Sequence, residues 1–167
     1  GKPLDKYLSE NILEPAAMRH TNFYYKGRMV DQLAECLIHP DHRQRYNHYL
    51  DQSSDYKENN VKLFLGGSGL LSTISDYFHF TQIIMNNGIY LKNRIISPEG
   101  IQKLTTNVLS SDIASMGPKH FAFMPTFGMG HGLGGSVIIK PQKEFSSSVG
   151  DFSWGGMAST YFWIDRV

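Results

Sequence analysis

Ser54-Asp55-Tyr56-Lys57 carries the spacing S-x-x-K. On a helix, residues three apart share a face, so a lysine amine there stands beside a serine hydroxyl and can take its proton. That is the chemistry of an activated nucleophile. The setting argues against it, because Gln52 to Asn60 is polar with no apolar helix behind it. A nucleophile needs a rigid, buried support. The pattern fixes two positions in four, and the match reads as an exposed coincidence far from any cleft. Seven histidines raise a metal question. His39 and His42 lie close together with His48 nearby, but a zinc site needs three or four converging ligands and no H-E-x-x-H is present. A solvated loop is the better reading of these three. His131, between Gly130 and Gly132, either lines a cleft or fills a turn.

Two glycine-rich stretches remain. Gly66-Gly67-Ser68-Gly69 lacks the G-x-x-x-x-G-K-[ST] pattern of a phosphate loop. It is open to two readings, a tight turn before a helix or a close backbone approach to a ligand cleft. The most specific run is Gly150-Asp151-Phe152-Ser153-Trp154-Gly155-Gly156-Met157-Ala158, continuing to Asp165. Adjacent glycines before a strand let a substrate lie against bare backbone. An N–H there can point into the cleft and stabilise an oxyanion. Composition by itself favours a plain strand preceded by a turn.

The elements that must hold these residues follow from periodicity. Leu4 to Leu13 predicts a helix with Pro3 in its first turn and Pro15 ending it. Residues 16 to 30 are extended and irregular, with Thr21 to Tyr25 the best local strand. Residues 31 to 60 are poorly legible. A helix follows the glycines, capped by Ser72 or Thr73, with Asp76 in its first turn. Tyr77, Phe80, Ile83 and Ile84 form its apolar stripe, and Asn86-Asn87-Gly88 ends it. Another helix starts at Ser97 with Pro98 in first position, turning Ile101, Leu104 and Val108 inward. From residue 130 to 165 the period becomes that of strands. Three antiparallel strands are expected there, within Gly130–Lys140, Phe145–Asp151 and Ala158–Ile164, with Trp154 to Gly156 at the start of the last. Helices first and strands later suggest an α+β fold, an antiparallel sheet flanked by helices.

The 167 residues are 41% hydrophobic and 19% charged, an ordinary globular balance. A formal charge of +1 implies no basic face and gives no reason to expect nucleic acid. Cys36 is alone, so no intrachain disulfide, cysteine zinc cluster or CxxC motif can form. It reads as a small buried apolar residue. No apolar run approaches the ~20 residues that span a bilayer. Gly1-Lys2-Pro3 does not look like a natural start, and Trp163 to Val167 stops in a strand-like run. Both termini look cut.

Ser153-Trp154-Gly155-Gly156, leading into Ser159-Thr160-Tyr161-Phe162-Trp163-Ile164-Asp165, resembles the third motif of the serine β-lactamase-like superfamily. That group joins class C β-lactamases, D-alanyl-D-alanine carboxypeptidases and esterases of the same fold. Other segments agree in order. Gly1-Lys2-Pro3-Leu4 through Pro15-Ala16-Ala17-Met18 and Thr21 resembles the family's GKPL…PLGM…T stretch. Gly67 to Asp76 resembles its GGLxST…D stretch. Asn87-Gly88 and Ser97-Pro98-Glu99 resemble the next helix and turn, and Gly128 to Gly134 its YGLGW-like strand. Ala16-Ala17 stands where the family has Leu-Gly. Trp154-Gly155-Gly156 replaces Lys-Thr-Gly, which removes the cation that would hold a β-lactam carboxylate.

The resemblance implies a β-lactamase/transpeptidase-like fold, of which residues 1–167 form a part. The family's S-x-x-K and Y-x-N motifs are expected upstream of Gly1, and a last strand and helix downstream. It implies a serine hydrolase acting through an acyl-enzyme on ester, amide or D-amino-acid peptide substrates, with no metal or organic cofactor. The partner of this chain would be the upstream segment of the same domain, and the chain by itself would be inactive. Trp154, Gly155 and Gly156 would bind substrate, and the backbone N–H of Met157 would be half of the oxyanion hole. A catalytically dead binding or structural relative is the alternative. Such families are often periplasmic or secreted.

Overall fold

The computed structural model describes residues 1–34, 56–58, 60–121, 124–141, 146–156 and 160–166. They form two compact units, Gly1–Phe80 and Thr81–Val167. The Ser54, Cys36, His39, His42 and His48 expectations lie outside the described residues.

In the first unit the helix expected from Leu4 to Leu13 forms, with a change of pitch inside it. α1 spans Leu4–Leu8 and continues as a π-helix over Ser9–Leu13. The Glu14 N–H accordingly donates to the Ser9 carbonyl at 2.9 Å, five residues back. Past Pro15 the chain turns left-handed at Ala17, φ 55°. The N–H groups of Ala17 and Met18 there close onto the Glu14 and Leu13 carbonyls at 3.0 and 2.8 Å. This is a helix end of the kind a glycine usually makes.

Thr21, Phe23 and Tyr25 are buried, and Asn22 and Tyr24 less so, the alternation expected of a strand. Pairing reduces to two isolated bridges, however. Asn22 is antiparallel to Leu71, and Tyr25 is parallel to Lys57. With one bridge on each partner, no ladder develops. A 3-10 helix over Gly27–Gln32 follows.

α2 runs from Ile74 to Met85. Thr73 is its cap, the hydroxyl accepting from the Asp76 N–H at 3.1 Å. Asp76, almost fully buried, accepts from the His20 N–H at 2.7 Å and the Thr21 hydroxyl at 2.8 Å. Thr21 also meets the Ser72 hydroxyl at 2.8 Å. Two distant sequence stretches thereby share one buried carboxylate. The expected apolar stripe is buried only at its far end, where Ile83 and Ile84 are sealed while Tyr77 stays exposed. The helix ends as expected: Asn87 and Gly88 take φ 52° and 89°, and the Gly88 N–H donates to the Ile83 carbonyl at 2.7 Å.

The second unit continues with a short hairpin, β1 (Ile89–Tyr90) and β2 (Asn93–Arg94). α3 (Pro98–Thr105) has Pro98 in its first turn and the Ser97 hydroxyl accepting from the Gly100 N–H at 3.0 Å. Ile101 is buried, but Val108 lies past the helix end and is exposed, contrary to the expectation. A 3-10 turn over Ile113–Met116 and the antiparallel pair β3 (His120–Phe121) and β4 (Met124–Pro125) come next.

The last sheet is a four-stranded antiparallel meander in chain order, β5 (Met129–His131), β6 (Ser136–Ile138), β7 (Phe152–Gly155) and β8 (Tyr161–Ile164). Met129, Val137, Ile138, Phe152 and Ile164 are its buried hydrophobic residues.

Three strands were expected here, and two details differ. Gly130–Lys140 splits into a hairpin because Gly132 and Gly135 close a turn, N–H to carbonyl at 2.8 Å. Residues 146 to 151 form no strand; Gly150 at φ 99° and the Asp151 N–H on the Ser148 carbonyl, 3.1 Å, make a turn there. Pairing therefore begins at Phe152, and Trp154-Gly155 closes β7 instead of opening the final strand. Among the described residues no helix is long and apolar enough to cross a membrane.

Candidate functional site

β7 presents the residues singled out in the sequence. Its register against β8 pairs Phe152 with Ile164, Ser153 with Trp163, Trp154 with Phe162 and Gly155 with Tyr161. One further bond, from the Gly156 N–H to the Thr160 carbonyl at 2.8 Å, ends the ladder. Trp154, Gly155 and Gly156 thus lie consecutively at the end of β7 that leads into β8. Met157 lies outside the described residues. A Cβ added at Gly155 would meet the Thr160 carbonyl and the Tyr161 ring at 3.5 Å, an ordinary contact. Among the described residues, crowding therefore does not demand glycine at 155, whereas a Cβ at Gly156 would lie 2.6 Å from the Thr160 hydroxyl oxygen.

Buried polar groups fix this register from behind. The Ser136 hydroxyl donates to the Ser153 carbonyl at 2.8 Å and lies 2.9 Å from the Ser153 hydroxyl. Asp151, 1% exposed, accepts from the Ser148 N–H at 2.9 Å and from the Trp163 indole N–H at 3.2 Å. Sliding β7 by one residue would break the Ser136 and Trp163 bonds together and turn each side chain to the other face. Ser136 was not picked out from the sequence, and Asp151 and Ser153 were named only as members of the glycine-rich run, because isolated Ser and Asp residues carry no periodic signal.

His131 ends β5, and its ring stands edge-to-face on Trp154, centroids 4.8 Å apart and planes at 90°. The residue thus lies both beside Trp154 and next to the Gly132–Gly135 turn. Asn107 holds it, the side-chain oxygen accepting from the His131 N–H at 2.9 Å and from the Leu109 N–H at 3.2 Å. The His131 Nδ1 bonds to the Gly132 carbonyl. At the other end of β5, Asp112 accepts from the Gly128 N–H at 3.0 Å and caps the 3-10 turn through the Ser115 N–H, also 3.0 Å. Those donors, the Gly128 N–H first and Ser115 next, hold the Asp112 carboxyl below its ordinary pKa against the opposing effect of burial.

In the first unit a cavity of about 190 Å³ is lined by Arg19, Tyr24, Lys26, Ser72 and Thr73 among others. None of the expected site residues borders it. Lys57, the lysine of the S-x-x-K match, is exposed and bridges to Tyr25 through its backbone. Among the described residues no group of three or more His, Cys, Asp or Glu side chains is arranged to hold a metal ion.

Comparison with known proteins gives one consistent outcome. The sequence profile of the family described as Beta-lactamase matches residues 1–167. Protein Rv1367c of Mycobacterium tuberculosis is 28% identical over 98% of this chain and 40% of its own length. An Escherichia coli O157:H7 protein with the provisional name D-alanyl-D-alanine carboxypeptidase is 26% identical over 100% of this chain and 38% of its own. The chain thus spans about two fifths of these relatives. Among solved structures, EstCE1, a hydrolase with promiscuous acyltransferase activity, superposes with a TM-score of 0.71 at 20% identity, covering 99% of this chain and 43% of that one. Simvastatin synthase from Aspergillus terreus superposes at 0.70 with 19% identity, covering 98% and 42%. Helices with antiparallel sheets in this arrangement are the β-lactamase/transpeptidase-like fold.

Proposed function

Since this chain belongs to the β-lactamase family, whose profile it matches from end to end, we propose that it is part of a serine hydrolase that forms an acyl-enzyme. The substrates are esters, amides or D-amino-acid peptides. A serine hydroxyl supplied from outside this chain attacks the carbonyl, the alcohol or amine leaves, and water releases the acid. A lysine and a tyrosine, also outside it, move the protons. This chain supplies one wall of the cleft. Trp154 lines it, Gly155 and Gly156 let the substrate approach the backbone, and the Met157 N–H donates to the oxyanion. With tryptophan at the position of the family's lysine, no cation is offered there, which favours neutral esters over carboxylate-bearing β-lactams.

The observation that carries this reading is Gly155 beside Trp154 at the end of β7, where an added Cβ would find only ordinary contacts among the described residues, whereas one at Gly156 would lie 2.6 Å from the Thr160 hydroxyl oxygen. A glycine that its neighbours do not require is explained by something that approaches it. In the full-length protein, Gly155→Ala should fold normally and lose at least about tenfold in kcat/KM toward p-nitrophenyl esters, short of the 10²–10³ that loss of an oxyanion donor costs. Unchanged kinetics would remove the glycines from the site. The isolated 167-residue chain should neither hydrolyse p-nitrophenyl esters or nitrocefin nor react with a fluorophosphonate. Stoichiometric labelling of Ser54 would overturn the assignment. A full-length protein inert to both probes would indicate a catalytically silent relative that uses the cleft for binding.

A further inference from the structure

His131 is the one side chain in the run Gly130-His131-Gly132. Packing explains the two glycines. A Cβ added at Gly130 would lie 2.9 Å from that of Asn107, and one at Gly132 would lie 2.8 Å from the Leu104 carbonyl carbon. Only bare backbone comes so close. His131 itself is half-buried, with its ring edge-to-face on Trp154. Any aromatic ring could make that contact, so it leaves the two imidazole nitrogens unexplained. The ring makes one hydrogen bond, between Nδ1 and the Gly132 carbonyl. A carbonyl oxygen only accepts, so Nδ1 carries the hydrogen. In the neutral ring the other nitrogen, Nε2, then holds a lone pair. Among the described residues no donor reaches Nε2. Asn107, which holds the His131 backbone, has nothing to spare. Its oxygen accepts from the His131 and Leu109 N–H groups, and its nitrogen donates to the Leu109 and Ser111 carbonyls at 3.1 and 3.3 Å.

We propose that His131 reads the substrate: its Nε2 accepts a hydrogen bond from a neutral N–H or O–H on the acyl group that lies against Trp154. The inference rests on the reading of Trp154 as a cleft residue given above, and it narrows the substrate class. Acyl groups bearing an amide N–H or a hydroxyl are preferred to plain alkanoyl groups. A donor that reaches Nε2 replaces the water it displaces there, whereas a methylene in the same place strips the lone pair of water and returns nothing. A neutral hydrogen bond of this kind discriminates by about two- to tenfold.

The test uses the full-length protein and two matched pairs of p-nitrophenyl esters. The N-acetylglycinate and the 4-oxopentanoate differ by one N–H replaced with a methylene, and the 3-hydroxybutyrate and the 3-methoxybutyrate by one O–H capped with methyl. Within a pair, the kcat/KM of the donor ester is divided by that of its counterpart. That ratio should be about two- to tenfold higher in wild type than in His131→Phe, which keeps a ring and lacks the nitrogen. The pair that responds identifies the donor as amide or hydroxyl. Ratios equal in the two proteins for both pairs overturn the proposal, whatever happens to the absolute rates. A second readout needs no turnover. With nitrogen-15 histidine, the His131 ring resonances, assigned by their loss in His131→Gln, should show the hydrogen on Nδ1. Methyl N-acetylglycinate or methyl 3-hydroxybutyrate should shift the Nε2 resonance, and the matching esters without the donor should not. A hydrogen on Nε2, or an Nε2 resonance blind to both donors, overturns the proposal even if His131→Phe fails to fold. A wild-type protein without esterase activity would sink the hydrolase reading alone, and the Nε2 resonance would then decide the recognition by itself.

Discussion

Glycine substitutions at two neighbouring alanines should move stability in opposite directions. Ala17 adopts φ 55°, and for an L-residue with a Cβ that conformation costs about 1–2 kcal/mol. Ala17→Gly removes the strain. The unfolded chain gains freedom, which returns about 0.4–1 kcal/mol, and a half-buried methyl is lost, about 0.4 kcal/mol at half of ~0.8 per methylene. The balance is a stabilisation of about 0.5 kcal/mol. Ala16 is fully buried and has no positive φ. There the same substitution removes about 0.8 kcal/mol of burial and adds about 0.5–1 kcal/mol of glycine entropy, a destabilisation of about 1.5 kcal/mol. The two variants should therefore differ by about 2 kcal/mol. Urea denaturation of the full-length protein, with midpoints compared at constant m, measures both. If Ala17→Gly destabilises as much as Ala16→Gly, the left-handed helix end is wrong, and with it the alignment of Ala16-Ala17 on the family's Leu-Gly.

Two further outcomes follow from the buried carboxylates. Asp76→Ala removes the acceptor of the His20 N–H and of the Thr21 hydroxyl, which keeps the Ser72 hydroxyl as a partner. It should cost about 2–3 kcal/mol in a denaturant titration, whereas a surface carboxylate such as Glu99 replaced by alanine should cost far less. Asp112 has a folded-state pKa depressed by the Gly128 and Ser115 N–H groups. Its contribution is thus present above the unfolded carboxylate pKa, about 3.9, and is lost as pH falls through the lower folded value. Asp112→Asn should be less stable than wild type at pH 7, and the gap should narrow as acid protonates the carboxylate below its unfolded pKa; a gap unchanged on acidification would show that the shift is absent.

Helices were legible in the sequence because their ends carry explicit chemistry. Thr73 with Asp76, Ser97 with Pro98, and Asn87-Gly88 each announce a boundary, and each appears where expected. The π-helical pitch over Ser9–Leu13 left no mark, since apolar spacing does not distinguish one extra residue in so short a run. The sheet was harder. Strands of three or four residues are too short for a period of two to declare itself, and the turn at Ser148–Asp151 is made by side chain and backbone acting together. The SWGG run was visible as a glycine break beside a tryptophan. Its support by Asn107, Ser136 and His131 was not, because those residues come from strands and loops that only the fold brings near β7.

The cap at Asn87-Gly88 also bears on how the protein ages chemically. Asparagine before glycine is the sequence most prone to deamidation, because the following backbone nitrogen can attack the side-chain amide and close a succinimide ring. Here that nitrogen is engaged, its N–H held by the Ile83 carbonyl at 2.7 Å. Ring closure must wait until the last turn of α2 opens. The slow appearance of aspartate and isoaspartate at position 87 during storage would therefore act as a clock for local opening of that turn, distinct from global unfolding.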